Sequence, residues 1–210
     1  MLVSTEGLVL RQIPFSDSSL IVKILTRDFG LESFLIKGAK SKKNTRAPLY
    51  RPINLLSLSF YHRENKSLKQ IKEAQLLFAP DAQNFGIYKS AISMFIVELL
   101  NHTIPENSSS ESEKYDFIAY SIAYLRDYPL NPHFYLSFVY QYSVYLGIEI
   151  PLTSFNTHLE LLTDYSSLGQ LNLSKKERNA LFHQFEEHYL ENLPNYKPLK
   201  SIDILSDILH

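Results

Sequence analysis

The hydrophobic pattern of this 210-residue chain changes its period near residue 79, and that change limits the fold more than any other feature. Before it, apolar and polar residues alternate, as in a strand with one buried face. The clearest runs, residues 20–26 (LIVKILT) and 53–60 (INLLSLSF), put these side chains on their inner faces: Leu20, Val22 and Ile24, then Leu56, Leu58 and Phe60. Residues 6–13, 32–38 and 68–78 are also strand-like. Five short strands in about 75 residues predict a small barrel or sandwich, because a single sheet would leave its edges unpaired.

After residue 79 the apolar residues recur at helical spacing. Capping patterns predict where helices begin: Ser110 with Glu113, Asn131 before Pro132, Ser174 with Glu177, and Ser201. A first helix is expected over residues 87–101, and residues 151–173 are expected to be irregular or a short hairpin. The predicted fold class is therefore α+β, with a five-stranded β domain followed by an all-helical domain.

The near-neutral net charge of −1 hides a division between these two parts. Residues 1–78 carry 13 Lys and Arg against 6 Asp and Glu, whereas residues 79–210 carry 8 against 16. Such asymmetry indicates two domains with different partners. We expect a basic nucleic-acid-binding domain over residues 1–78 and an acidic helical domain for partner contacts over residues 79–210.

The positive charge is densest in residues 35–52 (LIKGAKSKKNTRAPLYRP), and no carboxylate lies between Glu32 and Glu64. Six cations belong to this basic turn: Lys37, Lys40, Lys42, Lys43, Arg46 and Arg51. Predicted strands nearby add Arg11, Lys23 and Arg27, and aromatic residues of the same domain are Phe15, Phe29, Phe34, Tyr50 and Tyr61. Cations that follow phosphates and aromatic faces that stack on bases are what a single-strand binder needs. The alternative, a lysine-rich loop that is only solvated, stays open from the run alone.

Catalytic and metal-binding patterns are missing from the sequence. The chain has no cysteine, no phosphate-binding glycine loop and no G-x-S-x-G motif. His183 and His188 are five residues apart, unlike the i, i+4 pair of a zinc-binding helix. We therefore expect no enzyme activity, no metal and no cofactor. The stripe of Phe134, Phe138, Tyr142 and Tyr145 has the spacing of a buried helix face and is interpreted as core.

The longest apolar runs are interrupted by Glu98 and Gln141 and are too short to cross a bilayer. The N-terminal residues do not resemble a signal peptide. We expect a cytoplasmic protein without membrane contact.

Several segments, in order along the chain, resemble the bacterial recombination mediator RecO. Residues 6–40 (EGLVLRQIPFSDSSLIVKILTRDFGLESFLIKGAK) resemble its opening, with an E-G-hydrophobic-V-L strand and a basic K-G-A turn. Residues 47–58 (APLYRPINLLSL) resemble its leucine/proline segment, residues 131–150 its central helix, and residues 195–209 (NYKPLKSIDILSDIL) its closing helix. Together they span nearly the whole chain, and their order is the stronger part of the resemblance.

The resemblance implies an N-terminal OB-fold barrel and a C-terminal helical domain. It also implies a nucleoid-associated DNA repair role: binding single- and double-stranded DNA, annealing complementary strands, and helping to load the recombinase RecA onto DNA coated by single-strand-binding protein. The implied partners are RecR and the C-terminal tail of that single-strand-binding protein. The positions that match the family's basic turn are Lys37, Lys40, Lys42, Lys43 and Arg46, with Arg11, Lys23 and Arg27 on neighbouring strands.

One departure from the family is the zinc module. Many members carry four cysteines in the helical domain, whereas the matching residues 154–171 here offer only His158. An acidic tail that ends in Phe would need a cation beside an apolar pocket, and the cations of the helical half considered available for it are Arg126, Lys175, Lys176, Arg178 and Lys200. Two other functions stay open: an RNA-binding OB module with a helical oligomerisation domain, and an enzyme with an unrecognised polar site.

Overall fold

The computed structural model describes residues 1–39, 47–62, 67–78, 86–106, 108–151 and 159–209. Its N-terminal part is a five-stranded sheet in the order β3-β2-β1-β4-β5. The strands are β1 (Leu2–Pro14), β2 (Leu20–Thr26), β3 (Gly30–Ile36), β4 (Leu55–Tyr61) and β5 (Ile71–Leu76). All five predicted strands are present. β1 begins earlier than predicted because its first residues pair with β4, from Leu2 opposite Tyr61 to Leu8 opposite Leu55.

The sheet closes into a barrel. Neighbouring strands pair antiparallel, and Phe34 of β3 forms an isolated parallel bridge with Lys69, just ahead of β5. The backbone N–H of Leu35 donates to the carbonyl of Lys69 at 3.0 Å, and the N–H of Lys69 donates to the carbonyl of Ser33 at 2.9 Å. This closure of a five-stranded Greek-key barrel is that of an OB-fold. The predicted fold class, an OB-fold barrel followed by helices, is confirmed.

Alternate side chains of the strands fill the barrel, as the period of two requires. The predicted inner residues are buried in one hydrophobic cluster: Leu20, Val22, Ile24, Leu56, Leu58 and Phe60. Val9 of β1 and Phe34 and Ile36 of β3 belong to the same cluster, so each of the strands β1 to β4 contributes to the barrel core.

In the part of the chain that the structure describes, five α-helices follow the barrel: α1 (Ile87–Thr103), α2 (Ser112–Asp127), α3 (Phe134–Tyr145), α4 (Lys175–Asn192) and α5 (Ser201–Ile208). Residues 151–173 contain two 3-10 helices, Leu159–Leu162 and Tyr165–Gln170, in their described part, and residues 152–158 lie outside the described residues. Phe134, Phe138 and Tyr142 are buried, which confirms the core interpretation of the α3 stripe, although Tyr145 is partly exposed.

Of two capping boxes predicted from the sequence, one begins a helix and the other does not. Ser174 and Glu177 form the complete capping box at the start of α4. Ser110 does not start α2, which begins at Ser112; its hydroxyl donates to the carbonyl of Arg27 at 2.8 Å. The sequence pattern was right for Ser174 and wrong for Ser110, because a residue of the barrel provides a partner that local spacing cannot reveal.

The chain divides into two compact units. The barrel unit comprises Met1–Pro80 and Ile104–Ala119, and the helical unit comprises Asp81–Thr103 and Tyr120–His210. Ile104–Ala119, hereafter the acidic segment, therefore packs with the barrel although it lies among the helices in sequence. The domain boundary between residues 78 and 79 stays a prediction, which rests on the charge distribution and the hydrophobic period alone.

Charged side chains of the helical unit bind backbone groups of neighbouring segments. Arg178 of α4 is buried and donates to the carbonyl of Leu173 at 2.9 Å and to that of Leu209 at 3.0 Å. Glu98 of α1, which is partly buried, accepts the backbone N–H of Ser201 at 2.8 Å at the start of α5. The buried guanidinium therefore has the hydrogen-bond partners that burial of a charge requires.

Candidate nucleic-acid interface

Strand direction distinguishes two ends of the barrel. At one end β1 and β3 finish while β2 and β4 begin; we call it the basic end, because the basic turn follows β3 there. At the other end, the opposite end, β2 and β4 finish while β3 and β5 begin. The length of β2 separates them by about 20 Å, at about 3.3 Å per residue.

Three of the predicted contacts lie exposed near the basic end. Lys37 follows β3, Arg51 follows the 3-10 helix Ala47–Tyr50, and Arg11 lies in the second half of β1. None of the three forms an ion pair with a residue that the structure describes. Lys40, Lys42, Lys43 and Arg46 lie outside the described residues. The three exposed cations are therefore available to an anionic ligand.

The backbone on both sides of the basic turn is fixed to the barrel. Ala39 and Tyr50 are buried in the barrel core. Gln12 Nε2 of β1 donates to the carbonyl of Ala47 at 3.0 Å, and Asn54 Nδ2 donates to two carbonyls of the 3-10 helix at 3.0 and 2.9 Å. The entry and the exit of the turn are thus positioned by packing and by hydrogen bonds.

A groove of about 780 Å³ follows the seam between β3 and β5. Lys37 contributes from the β3 side and Lys72 from β5, while Leu49 and Tyr50 add apolar surface. Polar side chains of β4 and β5 also line it: Ser57, Ser59, Gln70 and Gln75. Sequence reasoning missed the groove, because a seam between the third and fifth strands is a property of barrel closure rather than of any local pattern.

Two predicted contacts are paired with carboxylates of the acidic segment. Lys23 of β2 contacts Glu106. The Arg27 guanidinium binds both carboxylate oxygens of Asp116, with Nε–Oδ1 at 2.6 Å and Nη2–Oδ2 at 2.8 Å. The hydrogen bond from Arg27 lowers the pKa of Asp116, so this carboxylate is ionised at neutral pH. Lys23 and Arg27 therefore have carboxylate partners. Arg11, which lies directly opposite Lys23 in the sheet, has none among the described residues.

Lys69 is a third paired cation of the barrel. Its side chain is 7% exposed, and its ammonium contacts the carboxylate of Glu32, which is 13% exposed. The same ammonium lies 6.0 Å from the centre of the Phe60 ring. Because its backbone also forms the bridge to β3, Lys69 closes the barrel and is no candidate for phosphate binding.

The five aromatic residues considered for base stacking divide between core and surface. Phe34 and Tyr50 are buried, and Phe29 packs against the core, so the stacking interpretation is wrong for Phe34 and Tyr50. Phe15 is 57% exposed and Tyr61 is 46% exposed. Phe15 lies in the β1–β2 connection at the basic end, whereas Tyr61 ends β4 at the opposite end. Of these five aromatic residues, Phe15 is thus the exposed one on the side of the unpaired cations.

The cations of the helical unit have distinct surroundings. Arg126 binds Asp127 through two contacts of 2.6 Å and lines a cavity of about 440 Å³ with Tyr88, Tyr128 and Leu130. Arg178 is engaged with carbonyls inside the unit. Four lysines are exposed: Lys175, Lys176, Lys197 and Lys200. Arg126 shares the lining of its cavity with two other charged residues, Lys89 and Asp127.

Within the described residues, no three His, Asp or Glu side chains converge as metal ligands would. His158, the remaining candidate of the missing zinc module, lies outside them. No described helix combines the length and the apolar character that crossing a bilayer demands.

Residues 1–79 match the family model described as the recombination protein O N terminal. Over 99% of both chains, the sequence is similar to proteins named DNA repair protein RecO: 25% identical to that of Phocaeicola vulgatus, and 26% identical to those of Bacteroides fragilis (strain YCH46) and Flavobacterium johnsoniae. The alignment with the first of these extends over 240 positions, against 210 residues in this chain, so that relative contains insertions that this chain lacks.

Proposed function

Because this chain belongs to the RecO family of DNA repair proteins, we propose that it is a non-enzymatic mediator of DNA repair and homologous recombination. In this proposal it binds single- and double-stranded DNA, promotes annealing of complementary strands, and helps to load RecA onto DNA coated by single-strand-binding protein. RecR and the tail of the single-strand-binding protein are its proposed partners.

The observation that carries the proposal is the group of cations without carboxylate partners near the basic end. Lys37, Arg51 and Arg11 are exposed there, and the sequence adds four further cations in the turn between two anchored ends. Each phosphate that such a cation neutralises releases condensed counterions, and this release drives nucleic-acid binding at ordinary salt. We therefore propose the turn and these three residues as the DNA contact.

Annealing follows from the same charges. Two DNA strands repel each other through their phosphates, and a cationic surface that holds both strands lowers this repulsion while leaving the base edges free to pair. No step in this scheme consumes a nucleotide. ATP use would belong to the recombinase.

The test is fluorescence anisotropy of a labelled single-stranded oligonucleotide over a series of salt concentrations. The wild-type chain is compared with a variant in which Lys40, Lys42, Lys43 and Arg46 are all changed to Glu. We expect steeply salt-dependent binding by the wild type and a loss of at least about 100-fold in the variant, because several phosphate contacts are reversed in sign. Annealing of complementary oligonucleotides without ATP should fall in parallel.

Two adjacent lysines of the helical unit supply a matched control. Lys42→Glu with Lys43→Glu is compared with Lys175→Glu with Lys176→Glu, which changes the net charge equally at the exposed start of α4. We expect the first pair to weaken binding and the second to leave it nearly unchanged. Equal losses would mean that net charge, rather than the turn, controls binding, and the proposed contact would be wrong.

The same assay distinguishes the DNA repair mediator from the alternative, an RNA-binding protein. Competition between DNA and RNA oligonucleotides of one sequence compares the two affinities. Preference for DNA, or equal affinity, supports the mediator, whereas a strong preference for RNA would favour the alternative.

For the tail of the single-strand-binding protein, we propose the cavity beside Arg126. Tyr88, Tyr128 and Leu130 suit an aromatic end, and a peptide carboxylate would bind the Arg126 guanidinium by replacing Asp127, which also lines the cavity. Tyr128→Ala should weaken the binding of a labelled tail peptide at least about fivefold, since it removes one wall of the cavity. Tyr120→Ala, an equally exposed tyrosine of α2 outside the cavity lining, is the control. Equal effects of the two changes would contradict this site.

A further inference from the structure

Carboxylates of the acidic segment pair with two cations of the barrel, one in β2 and one directly after it. Lys23 contacts Glu106, and Arg27 binds Asp116 through two hydrogen bonds. The pairs join residues 83 and 89 positions apart in sequence, so they depend on how the acidic segment docks on the barrel.

Contacts other than the ion pairs fix this docking. The Ser110 hydroxyl donates to the carbonyl of Arg27 at 2.8 Å. Gly30 adopts φ +72°, and a Cβ at this position would come within 2.0 Å of the carbonyl oxygen of Ser108. Tyr115 and Ile118 of the acidic segment are buried. The carboxylates are therefore held in place by packing, and they stay beside β2 whether or not the cations attract them.

The charge of the acidic segment is strongly one-sided. It carries four carboxylates and a single cation: Glu106, Glu111, Glu113 and Asp116, with Lys114. A phosphate that approached Lys23 or Arg27 would have to displace the carboxylate from that cation. Because the displaced carboxylate would stay nearby, the two negative charges would repel each other at short range. Lys37 and Arg51 impose no such cost on a phosphate.

We propose that the acidic segment directs nucleic acid along the barrel, with Glu106 and Asp116 as specificity-determining residues that repel phosphates from the β2 side and leave the basic end as the DNA contact. This inference rests on the proposed function and deepens it. It assigns Lys23 and Arg27 to pairing with the carboxylates of the acidic segment and removes them from the DNA contact.

The test neutralises the two carboxylates without changing their shape. A variant with Glu106→Gln and Asp116→Asn is compared with wild type by anisotropy of a labelled oligo-dT over a salt series. Two cations become available to phosphates, so the slope of log affinity against log salt should steepen by about 1.4, and affinity near physiological salt should rise about tenfold. Adding Lys23→Gln and Arg27→Gln to this variant should reverse the gain, whereas Lys23→Gln in the wild type should change the affinity less than twofold.

The matched control makes the same charge change elsewhere on the acidic segment. Glu111→Gln with Glu113→Gln removes two exposed carboxylates, of which Glu111 pairs with Lys114 of its own segment rather than with Lys23 or Arg27. A gain equal to that of the first variant would show a general effect of net charge and would overturn the inference. An unchanged slope in the Glu106/Asp116 variant, with melting curves that show it folded, would overturn it as well. The wild-type chain is measured first. If it fails to bind oligo-dT, the proposed function itself is refuted, and this outcome is distinct from a failure of the inference.

Discussion

At the basic end of the barrel, Lys37 and Arg51 reach solvent without a carboxylate partner among the described residues, whereas toward the opposite end Lys69 is enclosed with Glu32. The residue types are the same, and both groups belong to one small domain. Their surroundings decide what they do: an enclosed, paired cation stabilises the fold, and an exposed, unpaired one can take a ligand. Counting the Lys and Arg of the domain therefore overestimates the charge that DNA can use.

The largest effect on stability is expected at the opposite end, at Gly30. Gly30→Ala should lower the free energy of unfolding by about 4 kcal/mol, of which about 1 comes from the positive φ and the rest from the clash with the carbonyl of Ser108. Urea denaturation measures the change. Gly147→Ala is the control, since Gly147 has the same φ of +72° and nothing within 4 Å of the added Cβ, and it should cost about 1 kcal/mol. Equal losses would mean that the acidic segment is not packed tightly against β3.

A second pair of variants sets an enclosed cation against an exposed one. Lys69→Met should cost about 3 kcal/mol of unfolding free energy, because it leaves the Glu32 carboxylate half-buried and uncompensated. Arg51→Met should change stability by less than about 0.5 kcal/mol and should weaken DNA binding instead. Urea denaturation and anisotropy measure the two properties. If Lys69→Met weakened binding without loss of stability, the distinction between the two ends would fail.

The exposed aromatic residues test the same distinction through stacking. Phe15→Ala should weaken single-strand binding by about 1–2 kcal/mol, roughly 5- to 30-fold, because it removes a face on which a base can stack near the unpaired cations. Tyr61→Ala removes a comparably exposed ring at the opposite end and should have little effect. Similar losses for both would indicate a DNA path that runs the whole length of the barrel.

The smallest expected effect concerns pH. The pKa of Asp116 is lowered in the folded state by the hydrogen bond from Arg27, although partial desolvation opposes this. A carboxyl group whose folded pKa lies below its unfolded value contributes stability above the unfolded pKa and loses it as pH falls through the folded pKa. Because the pair is largely exposed, the contribution is expected to stay below about 0.5 kcal/mol. Asp116→Asn should slightly flatten the fall of melting temperature below about pH 4; an unchanged profile would mean that the pair adds nothing.

Much of the barrel could be predicted because its period is local. The alternation in residues 20–26 and 53–60 identified the inner faces of β2 and β4, and the pattern of Ser174 with Glu177 identified the start of α4. Each of these signals involves residues that are close in sequence.

What the sequence concealed depends on residues that are distant in sequence. Lys23 and Arg27 resembled Arg11 in the sequence, and only docking of the acidic segment separates them. Phe34 and Tyr50 had the composition of a stacking surface but lie inside the barrel. Closure of the barrel and docking of a remote segment follow from the whole set of packing contacts, so neither a window of residues nor a charge count can reveal them.

The contact between Glu98 and Ser201 has a consequence for synthesis on the ribosome. The two residues are 103 positions apart, and at about 5–20 residues per second α1 waits roughly 5–20 s before α5 is made. The barrel unit, by contrast, is fully translated by Ala119. During this interval α1 lacks α5, one of the helices that pack against it. The nascent helical unit is thus the part of this chain with the longest need for protection by chaperones.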